Sequence, residues 1–312
     1  MRFEKKNILD IHSLSQNQIS MILDTAFGMK EVSERPVKKV PTLRGKTIVL
    51  FFQEPSTRTK LSFELAAKRL SADTVSIAKS SSSIVKGETL IDTAKNLEAM
   101  KPDVIVMRHS SSGAAFQVSQ RVNCSVINAG DGTHAHPSQA LLDMMSIKEK
   151  KGCLKGLNIS IVGDISHSRV ARSDIVGLSK MGANVRVCAP ETMIPMGIEN
   201  MGCTVAKNME SCVKDADVIM MLRIQKERQG NMLFPSEREY ASLYGLNKKR
   251  IALASPDVMV MHPGPMNRGV EISSDIADSD CSMILDQVTN GVALRMALFY
   301  LLAGGSRHAD TD

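Results

Sequence analysis

The stretch Thr47–Leu70 constrains the fold more than any other part of the chain. Ile48 to Phe52 is an apolar run with the length and the β-branched and aromatic content of a buried strand. Gln53-Glu54-Pro55 ends it, because proline supplies no N–H and the residue before a proline avoids the helical region. Ser56 or Thr57 is then placed to cap a helix whose apolar positions Leu61, Phe63, Leu65, Ala66 and Leu70 follow a helical stripe. The hydroxyls of Ser56, Thr57 and Thr59 and the guanidinium of Arg58 crowd that helix start, where unpaired N–H groups and the helix dipole favour an anion. This reads as a phosphate cradle. A plain capped helix with Arg58 in a surface ion pair would have the same local sequence, so the rest of the chain decides.

The strand–helix alternation continues. Strands are expected at Thr74–Ala78, Asp103–Met107 and Cys124–Ala129, helices at Thr89–Met100 and Ala114–Val122, and an earlier helix starting near Ser15. Such a β-α-β series makes a parallel sheet with crossover helices. A helix from Pro137 to Lys150 opens on proline, closes in a Lys-rich run before Gly152, and is expected to link two halves. The alternation then restarts, with strands at Asn158–Val162, Asn184–Cys188, Cys203–Ala206, Asp217–Leu222 and Val258–Met261. Helices are expected at Ser168–Met181, around Met196–Met201 and at Met209–Lys214. A final apolar helix, Asp286 to Leu302, is expected to cross back onto the first half. A chain of 312 residues suits two α/β domains, each a doubly wound parallel sheet. Their expected spans are 1–136 with the helix 286–304, and 137–285.

The net charge of +6 suits acidic ligands, yet Lys and Arg are dispersed and only 4% of residues are aromatic, so no nucleic acid is expected. Six cysteines without C-x-x-C spacing read as free thiols of a reducing compartment. No apolar segment follows the charged N-terminal residues, and Val292–Ala303 is interrupted by Arg295 and too short to span a bilayer. A cytoplasmic protein without membrane contact is expected.

In open parallel sheets, ligands gather beyond the carboxyl ends of the strands. Those positions hold Ser56-Thr57-Arg58-Thr59, the loop Ser80–Glu88 with Lys86, Arg108-His109-Ser110, and Gly130–Gln139. In the second half they hold Gly163–Arg169, Arg223-Ile224-Gln225 and His262–Arg268. Cations gathered at strand ends need anionic groups to pair with. Asp131, His134 and His136 lack further clustered ligands, so no metal is expected. Gly163-Asp164-Ile165-Ser166 stands where a dinucleotide turn would, but G-x-G-x-x-G is missing and no cofactor is expected.

The ordered set Phe51–Thr59, Lys86-Gly87-Glu88, Arg108-His109, His136–Gln139, His167-Ser168-Arg169, Arg223–Gln225 and His262–Pro265 resembles the catalytic chain of the aspartate carbamoyltransferase family over the full length. The Ser-x-Arg-Thr element alone would mark only the wider carbamoyltransferase superfamily. The resemblance implies that carbamoyl phosphate is held by Ser56, Thr57, Arg58, Thr59 and Arg108, with His136 and Gln139 at its carbamoyl end. It also implies that the Gly264 and Pro265 backbone meets the carbamoyl NH₂, and that Lys86, Arg169, Arg223 and Gln225 bind L-aspartate. Ser82 and Lys86 would come from a neighbouring subunit of a homotrimer with shared active sites. Thr59, Arg108, His136 and Lys86 would be the catalytic groups. The stretch His262–Glu271 resembles a bacterial subgroup working without a zinc-bearing regulatory chain or beside a dihydroorotase-like partner.

Overall fold

The computed structural model describes residues 3–78, 87–225 and 236–304. Contacts divide the chain into two units, one running to Met145 and resuming at Asn290, the other spanning Ser146–Thr289. The first boundary falls inside the expected linking helix.

The first unit opens with α1 (Gln16–Glu34), started by a reciprocal cap in which the Ser15 hydroxyl accepts the Gln18 N–H and the Gln18 side chain accepts the Ser15 N–H. Then follow β1 (Thr47–Phe52), α2 (Thr57–Arg69), β2 (Asp73–Ala78), α3 (Leu90–Ala99), β3 (Val104–His109), α4 (Ala114–Ser119) and β4 (Ser125–Asp131). The strands lie in the order β2-β1-β3-β4, all parallel. Ile48–Phe52 and Val104–Met107 are buried throughout, as continuous apolar strands in the middle of a parallel sheet must be.

Helix α5 (Pro137–Lys151) carries the chain into the second unit. That unit contains β5 (Asn158–Val162), α6 (Arg169–Lys180), β6 (Asn184–Cys188), β7 (Cys203–Val205), α7 (Met209–Val213) and β8 (Val218–Met221). After it come α8 (Glu237–Tyr244), α9 (Lys248–Ile251), β9 (Met259–Met261) and α10 (Ser274–Ala277). The five strands lie β7-β6-β5-β8-β9, again all parallel. Helix α11 (Ile284–Phe299) returns the chain to the first unit, where Phe299 packs on Phe63 at 5.7 Å between ring centroids. The expected two-sheet α/β architecture with a returning C-terminal helix is therefore observed. Among the described residues no helix is long and apolar enough to cross a membrane.

The helix expected around Met196–Met201 is replaced by two 3₁₀ turns, Glu191–Met193 and Ile198–Met201. Gly197 and Gly202 flank the second turn in left-handed conformations (φ +72° and +98°), which stops an α-helix from forming. Helices α8, α9 and α10 are short and were not expected; their first residues are started by Ser236, Asn247 and Ser273 rather than by an apolar period.

Strand order creates a switch point in each sheet. The chain leaves β1 for β2 on one side and resumes at β3 on the other; in the second sheet the same reversal separates β5 from β8. Crevices for ligands open beyond the carboxyl ends of such strand pairs. At the second switch point the strand exits touch: Gly163 sits at φ +133°, and a Cβ there would lie 2.6 Å from the Leu222 carbonyl oxygen. Gly163→Ala should therefore lose on the order of 2 kcal/mol of stability, through backbone strain and overpacking, read as a lower urea midpoint at unchanged slope.

Candidate active site

In the first unit, β1 ends beside β3, with Phe52 in register with Arg108 and the Gln53 N–H donating to the Arg108 carbonyl at 2.8 Å. The chain then turns through Glu54 and Pro55 into α2. Ser56 holds the N-cap position in extended geometry (φ −163°, ψ 93°), but its hydroxyl makes no capping bond. Ser15, Thr89, Ser168, Asn208, Ser236 and Asn247 all cap their helices through the side chain. At the start of α2 the hydroxyls of Ser56, Thr57 and Thr59 hold no hydrogen bond among the described residues. The expected cap is thus corrected: the position is right, and the hydroxyl is left for another partner.

Arg108 leaves the carboxyl end of β3 and is mostly buried. One arm of its guanidinium donates to Glu54 Oε1 at 2.9 Å, the other to the Ala129 carbonyl at 3.2 Å. In the sequence Glu54 stands out only as part of a strand break, and its role as counter-ion to Arg108 has no local signal, since the partners are 54 residues apart.

His136 is buried and starts α5, its carbonyl accepting the N–H groups of Gln139 and Ala140 at 3.0 and 3.2 Å. Pro137 follows in the first turn, where its missing N–H is no loss. The approach to His136 is held by Asp131, whose buried carboxylate accepts from the Gly113 N–H and the Asn128 side chain at 2.7 Å each, His134 Nδ1 at 3.0 Å and the Ala135 N–H at 3.1 Å. Burial alone would raise the Asp131 pKa; hydrogen bonds from His134, Asn128 and Gly113 outweigh it and hold the carboxyl below its usual range. Gln139, one turn into α5, donates through Nε2 to both oxygens of buried Asp143 at 3.1 and 3.2 Å. Its amide oxygen is thereby turned away from the carboxylate.

Behind these groups lies Arg295 of α11, fully buried, donating to the Gly291 carbonyl at 2.8 Å with its guanidinium 4.8 Å from the Phe63 ring centre. Burial pushes its pKa down to about 10, the Asp143 carboxylate opposing that shift and the Arg108 charge adding to it.

In the second unit, Gly163 is followed by buried Asp164, which accepts from the His167 N–H at 3.1 Å and His167 Nδ1 at 2.9 Å. Ser168 caps α6 on the Ala171 N–H at 3.0 Å, and Arg169 is the first residue of that helix, almost fully buried. Arg223 and Gln225 follow β8; the Gln225 amide donates to the His167 carbonyl at 3.3 Å, tying the two strand exits together. His262, Gly264 and Pro265 follow β9. Ser82 and Lys86 lie outside the described residues.

In the first unit Ser56, Thr57, Arg58 and Thr59 follow β1 and Arg108 ends β3, on the two sides of the switch point, while His136 and Gln139 follow β4, the neighbour of β3. Arg169, Arg223, Gln225, Gly264 and Pro265 stand at strand exits of the second. Hydroxyl, guanidinium, imidazole and amide groups at these strand exits suit group transfer from an anionic donor.

Comparison with known proteins agrees. The carbamoyl phosphate-binding domain profile of the aspartate/ornithine carbamoyltransferases matches residues 6–149, and their Asp/Orn-binding domain profile matches 155–302. The chain belongs to the aspartate/ornithine carbamoyltransferase family. It is 74% identical to the aspartate carbamoyltransferase catalytic subunit of Desulforapulum autotrophicum over all of both chains. With the corresponding subunit of Desulfotalea psychrophila it shares 61% identity over 99% of this chain and 97% of that one. Among solved structures, aspartate transcarbamoylase from Trypanosoma cruzi in complex with N-(phosphonacetyl)-L-aspartic acid superposes with a TM-score of 0.87 at 27% identity, covering 96% of each chain. The ornithine carbamoyltransferase from Pyrococcus furiosus superposes with a TM-score of 0.88 at 30% identity, covering 98% of this chain and 100% of that one.

Asp131→Ala should cost about 3 kcal/mol at neutral pH, because several buried donors lose their acceptor together. A carboxylate whose pKa is lowered by folding stabilises above its unfolded value and loses that contribution as pH falls through the folded value. The gap in urea midpoint between the two proteins should therefore narrow as pH drops below about 5.

Proposed function

We propose that the chain catalyses the aspartate carbamoyltransferase reaction, moving the carbamoyl group of carbamoyl phosphate to the amine of L-aspartate. The products are N-carbamoyl-L-aspartate and phosphate, and the step serves pyrimidine synthesis in the cytoplasm. The observation that carries this reading is the start of α2, where three unbonded hydroxyls and the helix N-terminus stand at the same strand exits as Arg108.

Ser56, Thr57, Arg58, Thr59 and Arg108 receive the phosphate, and the cradle supplies both hydroxyl and charge-assisted donors. The aspartate amine attacks the carbonyl carbon, a tetrahedral oxyanion forms, and phosphate leaves with the amine proton. No covalent enzyme intermediate is required, so the acceleration comes from positioning and from donors aimed at the developing oxygen charge. Thr59, Arg108 and a neutral His136 are those donors. Gln139, its Nε2 committed to Asp143, keeps its amide oxygen for the carbamoyl NH₂, as do the Gly264 and Pro265 carbonyls. Arg169 and Arg223 each take a carboxylate of aspartate bidentately, with Gln225 beside them.

The assembly proposed is a homotrimer in which Ser82 and Lys86 complete a neighbour's site. Supporting it, Leu61 and Leu65 on α2 and Val75 on edge strand β2 expose 46–52% of their surface in the single chain, an apolar face that a partner would cover.

Purified protein should form carbamoyl-aspartate from carbamoyl phosphate and aspartate and give no citrulline with ornithine; the opposite preference would overturn the assignment. His136→Ala should lower kcat about a hundredfold while carbamoyl phosphate still binds, seen by comparing steady-state turnover with ligand titration. Arg223→Ala should chiefly raise the KM for aspartate, by about a hundredfold, in a saturation curve at fixed carbamoyl phosphate.

A further inference from the structure

The loop leaving β9, His262-Pro-Gly-Pro-Met-Asn-Arg-Gly-Val-Glu271, is held by a buried pair to which the reaction above assigns no role. The His262 and Glu271 side chains are both fully buried and stand 3.2 Å apart, Nε2 to Oε1. His262 Nδ1 accepts the Gly264 N–H at 2.7 Å, so that nitrogen carries no proton. The ring is therefore the Nε2–H tautomer and donates to Glu271. The same Glu271 oxygen accepts the Asn267 N–H. One carboxylate oxygen thus pins both ends of the turn 262–267.

The turn it pins has an unusual polarity. Pro263 and Pro265 bring no N–H, and the N–H of Gly264 is consumed by His262. Among the described residues no donor reaches the carbonyl oxygens of Pro263, Gly264, Pro265 or Met266. From Pro263 to Pro265 the backbone is an acceptor-only strip, suited to a ligand NH₂ and unsuited to a methyl or a carboxylate. Maintaining it is costly: Glu271 Oε2 is buried without a hydrogen-bond partner, and no Lys or Arg among the described residues pairs with Glu271. An apolar pair of similar volume would give a more stable core. What the polar pair adds is a fixed direction for the turn.

We propose that His262 and Glu271 are positioning residues that set selectivity for the acyl donor, holding the Gly264 and Pro265 carbonyls as acceptors for its NH₂. The inference rests on the carbamoyl phosphate reading above. It implies discrimination against acetyl phosphate, in which a methyl group replaces that NH₂ while the phosphate end is unchanged.

The test uses the full-length protein and the variants His262→Asn, Glu271→Gln and Glu271→Leu. Each is measured for carbamoyl phosphate KM and kcat at saturating aspartate, for the inhibition constant of acetyl phosphate, and for its thermal unfolding midpoint. The amide introduced by Glu271→Gln keeps an oxygen for both donors, so that variant should stay within about threefold of wild type. His262→Asn retains an acceptor for the Gly264 N–H but loses the link to Glu271. It and Glu271→Leu should raise the carbamoyl phosphate KM about tenfold while acetyl phosphate inhibition is unchanged. Should Glu271→Leu fail to fold, the contrast between His262→Asn and Glu271→Gln decides. A parallel loss for both phosphates would mean general loosening of the fold and overturn the proposal, as would no change for either. Wild-type protein forming no carbamoyl-aspartate would instead overturn the underlying reaction.

Discussion

Buried carboxylates hold the donors of this protein, and much of each unit is arranged to keep those carboxylates dry. Asp131 fastens the turn before His136, Asp143 fixes Gln139, Asp164 fixes His167 and through it the Gln225 amide, and Glu271 fixes His262. All four are almost or completely inaccessible to water. In that setting a hydrogen bond to an ionised oxygen is shorter and stronger than its solvent-exposed counterpart. The consequence is entropic: side chains that would otherwise sample several rotamers are ordered before any ligand arrives, so little ordering cost is left for binding.

The cations obey a matching constraint. A guanidinium taken out of water without compensation is unstable, and repulsion between Arg108 and Arg295 adds to that cost. Glu54 offsets it on the ligand-facing side through Arg108, and Asp143 offsets it from within. Arg295 also lies over the face of Phe63, a contact that tolerates a cation without demanding a second charge. Gly291 leaves room for this arrangement, because a Cβ there would stand 2.6 Å from the Arg295 guanidinium and push it aside. A glycine in the middle of a helix is thus accounted for by a charge one turn away.

These supports explain which parts of the molecule were legible in the sequence. Strand β1 and the start of α2 are written locally, as an apolar run, a Glu-Pro break and a polar helix start, and the alternation that follows determines parallel sheets. The strand-end rule then finds the candidate donors, since it needs only the order of elements. What it cannot find are their partners. Glu54 and Arg108 are 54 residues apart and Gln225 and His167 are 58 apart, with no periodicity linking them. Ser56 shows the reverse failure: capping statistics assign its hydroxyl to the helix, while the structure leaves it unbonded. The 3₁₀ turns after β6 are not legible locally, because Gly197 and Gly202 interrupt a segment whose apolar spacing is helical.

Choice of acceptor substrate must be made by a few residues, because the fold does not make it. An ornithine enzyme and an aspartate enzyme superpose on this chain with nearly equal TM-scores, 0.88 and 0.87. Aspartate and ornithine share an α-amine and an α-carboxylate and differ at the side chain, which is an anion in one and a cation in the other. Under the proposed assignment one of the two arginines, Arg169 or Arg223, faces that side-chain group. A unit charge about 4 Å from a guanidinium at a partly screened site is worth about 4 kcal/mol, attractive for a carboxylate and repulsive for an ammonium. Either sign alone corresponds to a roughly thousandfold change in binding, so charge at this strand exit suffices to separate the two substrates without any difference in backbone architecture.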